Sequence, residues 1–383
     1  MNRLKVLISP LSWGFGHAGR MIPLARELQR RGCEVIFAAD AYLLRMAWRE
    51  LPGVTMIEMP GLRIRYSRFL PQYVSVFMQM PLVVASAVKE HSVLRRLIRE
   101  TGPSVIISDN RFGFYNRDIF SVYVTHQVRI VFPGFLRWLE PVAEWAHRII
   151  INRYNLCIVP DYPGEVNLSG RLSHGGRMPG KLTYMGPLSR FAVTGSYMSG
   201  ESGEEPAGEG SDRPGDLTSL PEKYACLILS GPEPQRSLLL EKVTVAAGRI
   251  PLAVMTATPL RIPPPPGAEL HIITAPSTAT MRRIISGASL VVTRAGYTSV
   301  MELVSLRRGA VLIPTPGQTE QEYIGRHLDG RFGFVTMKQN RLEKLIAFAM
   351  GNTAPVTGTP EALPDPLPLL EKTIALLLEN KKQ

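Results

Sequence analysis

Short apolar runs recur along the chain, each closed by Gly, Pro, Ser, Asp or His and often followed by a longer amphipathic stretch. In the first half they are Lys5–Ser9, Glu34–Ala38, Val105–Ile107, Val122–Thr125 and Leu156–Val159. In the second half they are Ala225–Leu229, Leu252–Thr256, Glu269–Ile273, Leu290–Thr293 and Ala310–Ile313. The spacing predicts a helix over Gly16–Arg31, stopped by Gly32, another from Thr298-Ser299 to Arg307-Arg308-Gly309, and a last one from about Pro366 to Asn380. Strand, turn and helix in alternation predict parallel sheets with crossover helices, whose ligands bind beyond the carboxyl ends of the strands. Asp40, Asp109, His126 and Asp161 all fall at such ends.

A chain of 383 residues, 45% of them hydrophobic, has material for about two domains. Residues 192–220 are rich in Gly, Ser and Glu and lack periodicity, which predicts a flexible insertion. The expected organisation is an N-terminal domain over 1–190, the insertion over 191–220, a second domain over 221–365 and a C-terminal helix over 366–383. No short repeat is present, only two similar halves.

Phe69–Val88 contains no charged side chain and is flanked by Arg63, Arg65, Arg68, Lys89, Arg95, Arg96 and Arg99. The run is long enough to span a bilayer, but Pro71, Gln72, Gln79 and Pro81 interrupt it. A buried core helix fits it, and so does an apolar surface rimmed by positive charge.

Charge changes the picture more than composition does. The formal net charge is +12, and it is confined to one half: residues 1–190 hold 25 Lys+Arg against 13 Asp+Glu, whereas 191–383 hold 19 against 19. An acidic partner of the first half is implied: an anionic membrane surface, a phosphate-bearing acceptor or nucleic acid. Cys33, Cys157 and Cys226 stand alone in or beside apolar runs, without metal or disulfide spacing. With no secretory signal at Met1–Leu11, the expected location is cytoplasmic.

Candidate chemistry sits at the strand ends. Leu290–Arg326 runs strand, Arg294-Ala295-Gly296, then helix, and first-turn amides with a positive dipole end make such a turn a phosphate cradle. Glu302, in that helix, can accept two hydrogen bonds from a ribose diol. Ser230-Gly231-Pro232 closes the strand Ala225–Leu229, and Arg236 beyond it can fork onto a diphosphate.

In the first half, Gly14-Phe15-Gly16-His17-Ala18-Gly19 has the G-x-G-x-x-G spacing, with Asp40 about 20 residues on. Pro10-Leu11-Ser12-Trp13 separate it from its strand, unlike a dinucleotide fingerprint. His17 at the helix start reads as a general base or acceptor contact, with a dinucleotide loop or a structural turn as alternatives. Asp109-Asn110-Arg111 and His126-Gln127 are further strand-end candidates. Asp-x-Asp, H-E-x-x-H, paired Cys and G-x-x-x-x-G-K motifs do not occur, so divalent metal chemistry is not signalled. A departing diphosphate would then need the helix N-terminus with Arg236 or Arg294.

The two halves, the first loop with His17 and the run Thr293-Arg-Ala-Gly-Tyr-Thr-Ser-Val-Met-Glu302 together resemble GT-B glycosyltransferases, most closely family 28, the MurG group. The resemblance implies an α/β fold of two Rossmann-like domains whose parallel sheets face across a cleft. It implies Glu302 on the ribose of UDP, Gly296, Tyr297 and Thr298 at the diphosphate, and Gln321 on the donor sugar. It further implies Thr278 and Met281 at the uracil, and Ser230 and Gly231 in the glycine turn. On the acceptor side it implies His17 and the His126-Gln127 motif, beside the candidates Gly14, Gly16 and Asn110.

Departures are Trp13-Gly14-Phe15-Gly16 in place of consecutive glycines, Gln321-Glu322 in place of a glutamine pair, and Gly325 in place of an Asn. The expected activity is transfer of a sugar, N-acetylglucosamine by resemblance, from a UDP-sugar to a lipid-linked or surface-glycan acceptor, with inversion. The base would be His17 or a group of the Asp109/His126 set. No metal, no cofactor beyond the donor and no nucleic acid is expected, and the basic half would hold the protein at the inner membrane face. A nucleotide-sugar epimerase or hydrolase of the same fold, and a non-catalytic nucleotide-sugar-binding subunit, are the alternatives.

Overall fold

The computed structural model describes residues 3–13, 15–62, 72–176, 178–191, 220–248, 250–260, 269–342 and 363–379. The chain forms two compact units, one of Met1–Arg65, Tyr73–Arg190 and Pro364–Gln383, the other of Tyr66–Gln72 and Phe191–Leu363. The insertion expected at 191–220 lies almost wholly outside the described residues.

The first unit holds β1 (Lys5–Pro10), β2 (Glu34–Ala39), β3 (Thr55–Glu58), β4 (Val105–Asp109), β5 (Phe120–Val124), β6 (Leu156–Val159) and β7 (Leu182–Tyr184). They lie in the order β3-β2-β1-β4-β5-β6-β7, every pair parallel. The central strands are mainly apolar because both faces are covered. One face packs α1 (Phe15–Arg30) and α2 (Ala41–Glu50), through residues such as Met21, Leu28 and Leu43. The C-terminal helix Leu367–Glu379 adds Ile374 and Leu377 to this same core. The other face packs α4 (Met80–Thr101) through Leu94 and Leu97.

The second unit holds β8 (Ala225–Leu229), β9 (Leu252–Thr256), β10 (Leu270–Thr274), β11 (Leu290–Thr293), β12 (Ala310–Leu312) and β13 (Phe334–Thr336). Their order is β10-β9-β8-β11-β12-β13, again parallel throughout. Its described helices include Gln235–Ala247, Thr278–Gly287, Tyr297–Ser305 and Thr319–Leu328. The expected α/β architecture of two doubly wound parallel sheets is present. The strands that the pattern missed are β3, β7 and β13, which are edges. Being half-buried and three or four residues long, they carry no continuous apolar run.

In each sheet the order reverses once, between β1 and β4 and between β8 and β11. Crossovers diverge there, leaving a crevice beyond the carboxyl ends of those strands. The loop after β1 is held rigidly at its crevice by Arg111. Its Nε donates to Pro10 O at 2.8 Å, Nη2 to Ser12 Oγ at 3.0 Å and Nη1 to Glu90 Oε1 of α4 at 2.8 Å. Gly113 lets the loop after β4, which carries Arg111, meet α4, since a Cβ there would lie 1.9 Å from Ala87 O.

The described part of Phe69–Val88 divides into α3 (Gln72–Met78) and the start of α4, where Pro81 occupies the tolerated first turn. Val83 is buried, whereas Phe77, Met78, Leu82, Val84 and Val88 are exposed. No described helix is long and apolar enough to cross a membrane.

The clamp yields a stability test. Arg111 is fully buried and Glu90 nearly so, so Glu90→Ala strands a buried guanidinium. Urea denaturation of that variant should show a loss of about 3–5 kcal/mol. A change below about 1 kcal/mol, the range of exposed pairs, would remove the clamp from this account.

Candidate functional site

The first unit brings its predicted residues together at the β1/β4 crevice. Asp109 is the last residue of β4, paired in register with Pro10 of β1, and its side chain is fully buried. His17 enters from the first turn of α1, and His126 from the loop two residues past β5. The residue that joins them is Arg20, one helical turn beyond His17 on the same face of α1. Its Nε donates to Asp109 Oδ2 at 2.9 Å and its Nη2 to Oδ1, a bidentate ion pair, while Nη1 donates to His126 Nδ1 at 2.8 Å. Arg20 is 1% exposed.

Proton positions follow from these partners. An arginine only donates, so His126 Nδ1 presents a lone pair to it. His17 Nδ1 lies 3.0 Å from Asp109 Oδ2 and 2.9 Å from Arg20 Nη2. Only one of these two contacts can be a hydrogen bond; Arg20 Nη2 already donates to Asp109 Oδ1, whereas a lone pair on His17 Nδ1 would face the carboxylate's own, so Nδ1 carries hydrogen and donates to Asp109. The lone pair of His17 is thereby placed on Nε2, for which no described residue supplies a bond. Its side chain keeps 18% of its surface.

The electrostatics agree with this arrangement. Burial alone would raise the Asp109 carboxyl, but Arg20 and His17 outweigh it and hold it at about 2. Asp109 is therefore an orienting anion. Burial, reinforced by the Arg20 charge and opposed by Asp109, lowers His17 below the ordinary imidazole value. The site thus offers an unprotonated imidazole nitrogen aligned by a permanent carboxylate, which is the equipment of a general base.

The neighbouring candidates act through the backbone. Asn110 takes a left-handed φ of 55° and its N–H donates to Val124 O at 3.2 Å; the Gln127 N–H donates to Thr125 Oγ1 at 3.0 Å. Gly16 lies in the first turn of α1, and Gly14 is outside the described residues. Asp40 caps α2 through Leu43 N, and Asp161 accepts from the amides of Tyr162, Leu168 and Ser169, so both are committed to local structure.

In the second unit the predicted cradle falls at the β8/β11 crevice. Ser230 and Gly231 follow β8, with Gly231 at φ 100°, and Arg294-Ala295-Gly296 follows β11. Gly296 is the N-cap of Tyr297–Ser305, which starts without a side-chain cap and buries Glu302. Arg294 is 1% exposed and donates to Ile313 O, Pro314 O, Gln339 Oε1 and Gln235 O. Every one of these acceptors is neutral, and no carboxylate pairs with it among the described residues. Burial lowers its pKa to about 10, so it is still charged at neutral pH. Its hydrogen bonds are spent, and what reaches the crevice is its field.

Arg236 is also engaged, with Glu233, Thr258 Oγ1 and Pro259 O. Thr278 and the buried Met281 lie in the first turn of Thr278–Gly287, which Ser277 caps through Thr280 N. Gln321 Oε1 accepts from Thr315 N, and Glu322 Oε1 from Gly317 N, both at 2.9 Å, so the pair shapes the loop after β12. Gly325 packs under that loop, where a Cβ would stand 2.8 Å from Pro314 Cγ. Among the described residues no group of three His, Cys, Asp or Glu is arranged to hold a metal ion.

Comparison with known proteins adds a domain match and a fold to this geometry. Residues 265–347, which contain the β11 cradle, match the glycosyltransferase family 28 C-terminal domain. No curated protein matches the sequence. Among solved structures, a spinosyn rhamnosyltransferase complexed with thymidine diphosphate superposes with a TM-score of 0.60 at 17% identity, covering 99% of this chain and 100% of that one. A protein described as a UDP-N-acetylglucosamine 2-epimerase from Listeria monocytogenes gives 0.63 at 13% identity, covering 100% and 97%. MurG of Acinetobacter baumannii gives 0.51 at 13% identity, covering 98% and 99%. At these identities the likeness establishes the GT-B fold.

The role of Arg20 can be read from a pH profile. A base is active when unprotonated, so the lowered pKa of His17 puts the acid limb of kcat/KM below the ordinary imidazole value of about 6.5. Arg20→Met removes a charge that lowers it, and the limb should move to higher pH. An unmoved limb in this variant would refute the coupling.

Proposed function

We propose that this GT-B glycosyltransferase of family 28 moves a sugar from a UDP-sugar to a hydroxyl of a lipid-linked or cell-surface glycan acceptor. The observation that carries the proposal is the His17–Asp109–Arg20 arrangement at the β1/β4 crevice, in a chain whose second unit carries the family's domain. The acceptor hydroxyl gives its proton to His17 Nε2 while its oxygen attacks the anomeric carbon. The bond from that carbon to the diphosphate breaks, and UDP leaves with the electron pair. Asp109 stabilises the imidazolium that forms. A single displacement of this kind inverts the anomeric centre.

On the donor side, the Gly296 helix start and the uncompensated charge of Arg294 favour the departing diphosphate. Glu302 takes the ribose hydroxyls, Gly296, Tyr297 and Thr298 meet the diphosphate with Ser230, Gly231 and Arg236, and Thr278 and Met281 flank the uracil. Gln321 takes the donor sugar with the donors of its amide nitrogen, its oxygen being held by Thr315. N-acetylglucosamine is the sugar favoured by the family 28 resemblance. The surplus of Lys and Arg in residues 1–190 supports a phosphate-bearing acceptor and peripheral contact with an anionic membrane at its cytoplasmic face.

Two measurements test this reading. A thermal-shift screen should show stabilisation by UDP-sugars over dTDP- and GDP-sugars, and Glu302→Ala should lose it. Equal stabilisation of both proteins would sink the role of Glu302, and none at all would sink the donor. His17→Ala should lose about 10²–10⁴-fold in transfer rate with donor binding intact. Acceptor-independent sugar release or C2 inversion at the wild-type rate would favour hydrolase or epimerase chemistry instead.

A further inference from the structure

Four arginines are buried among the described residues: Arg20, Arg111, Arg236 and Arg294. Three of them meet a carboxylate, as a guanidinium out of water requires. Arg20 pairs with Asp109, Arg111 with Glu90 at 2.8 Å and Arg236 with Glu233 at 2.9 Å. Arg294 is the exception. Its one side-chain acceptor among the described residues is the amide of Gln339, whose Oε1 lies 2.7 Å from Nη1.

Gln339 reaches Arg294 from across a strand. Arg294 follows β11 and Gln339 lies three residues past β13, with β12 between those strands in the sheet. The guanidinium also takes Ile313 O and Pro314 O, past β12, and Gln235 O, at the start of the helix after β8. It therefore ties together the carboxyl ends of four strands at the crevice. An arginine only donates, so the amide atom facing it is oxygen. Its other three acceptors are main-chain carbonyls, which stay neutral whatever side chains they carry. Position 339 alone decides whether the cation is neutralised.

A glutamate at 339 has the same length and could accept the same hydrogen bond. It would stabilise the ligand-free protein, since a buried cation would gain a counter-ion. At hydrogen-bond distance its charge would also cancel most of the field that Arg294 sends into the crevice. Arg236, in the turn region after β8, shows that neutralised arrangement with Glu233. Of the two arginines that follow the crevice strands, one is thus closed by a carboxylate and the other left open by an amide. Leaving a buried cation open is a sacrifice of stability, and such sacrifices are expected where an anion uses the field.

We propose that Gln339 is a positioning residue of the donor site, holding Arg294 through a neutral amide so that the guanidinium keeps its charge for a diphosphate at the β8/β11 crevice. The inference rests on the donor reading above and adds to it a residue outside the Arg294–Glu302 cradle. Its signature is an opposition, at one position, between stability and diphosphate affinity.

The test is calorimetric titration of the full chain with UDP, uridine and inorganic pyrophosphate, with thermal unfolding of each ligand-free protein. Gln339→Glu should raise the Tm of the ligand-free protein and weaken UDP and pyrophosphate about ten-fold or more, leaving uridine unchanged. Gln339→Met removes the hydrogen bond without adding charge, so it should lower Tm and keep the ratio of UDP to uridine affinity. A merely structural glutamine would move stability and affinity in the same direction, and uridine together with UDP. The proposal is overturned if Gln339→Glu binds UDP and pyrophosphate as wild type does, or if it loses uridine equally. It is also overturned if Gln339→Met loses the UDP preference as fully as Gln339→Glu, or if wild type binds no diphosphate. Pyrophosphate separates this inference from the donor reading. Wild type that binds pyrophosphate but neither UDP nor uridine contradicts the uracil assignment, and Gln339→Glu must still weaken pyrophosphate.

Discussion

One buried carboxylate, that of Asp109, sets the terms for the first unit. It ends β4 at the point where the strand order reverses, and it is out of water. Such a charge is tolerated only with close partners. Arg20 supplies two hydrogen bonds and His17 a third, and meeting this requirement also fixes the chemistry. Arg20 is drawn into the crevice and fixes which nitrogen of His126 is bare. His17 is turned so that its own bare nitrogen is Nε2. The surrounding clamp from Arg111 to Pro10, Ser12 and Glu90 keeps the loop between β1 and α1 from drifting away from Asp109.

The second unit meets a related constraint with the opposite sign. Arg294 is buried among carbonyls and one amide, with its charge unpaired by any described carboxylate. A cation so held attracts anions to the β8/β11 crevice, where the start of Tyr297–Ser305 adds its dipole. Its bonds also tie the end of β12 to the helix after β8, so the same side chain supplies both field and framework. The loop after β12 is held independently by Gln321 and Glu322, with Gly325 packed beneath Pro314. Close packing thus accounts for a glycine where the family pattern has Asn.

Much of the fold was legible because central parallel strands are buried on both faces and read as unbroken apolar runs. β6, β8, β9 and β11 appear with the predicted boundaries. β3, β7 and β13 were invisible, since an edge strand is half wet and short. His17, Asp109 and His126 could be named as strand-end residues. That they form one cluster could not, because the connecting Arg20 reads in sequence as a solvated helix charge. The spacing His-x-x-Arg across the first two turns of α1 was the available signal.

The account stands or falls on the tautomer of His17. Imidazole ¹⁵N shifts of the histidine-labelled protein, assigned with His17→Gln and His126→Gln, measure it without any substrate. Among the seven histidines, His17 should carry its proton on Nδ1 with Nε2 bare at neutral pH, and should titrate below the ordinary imidazole value. His126 should show the reverse tautomer. A proton on His17 Nε2 at neutral pH would contradict the central claim, because the nitrogen assigned to the acceptor hydroxyl would then have no lone pair to receive its proton.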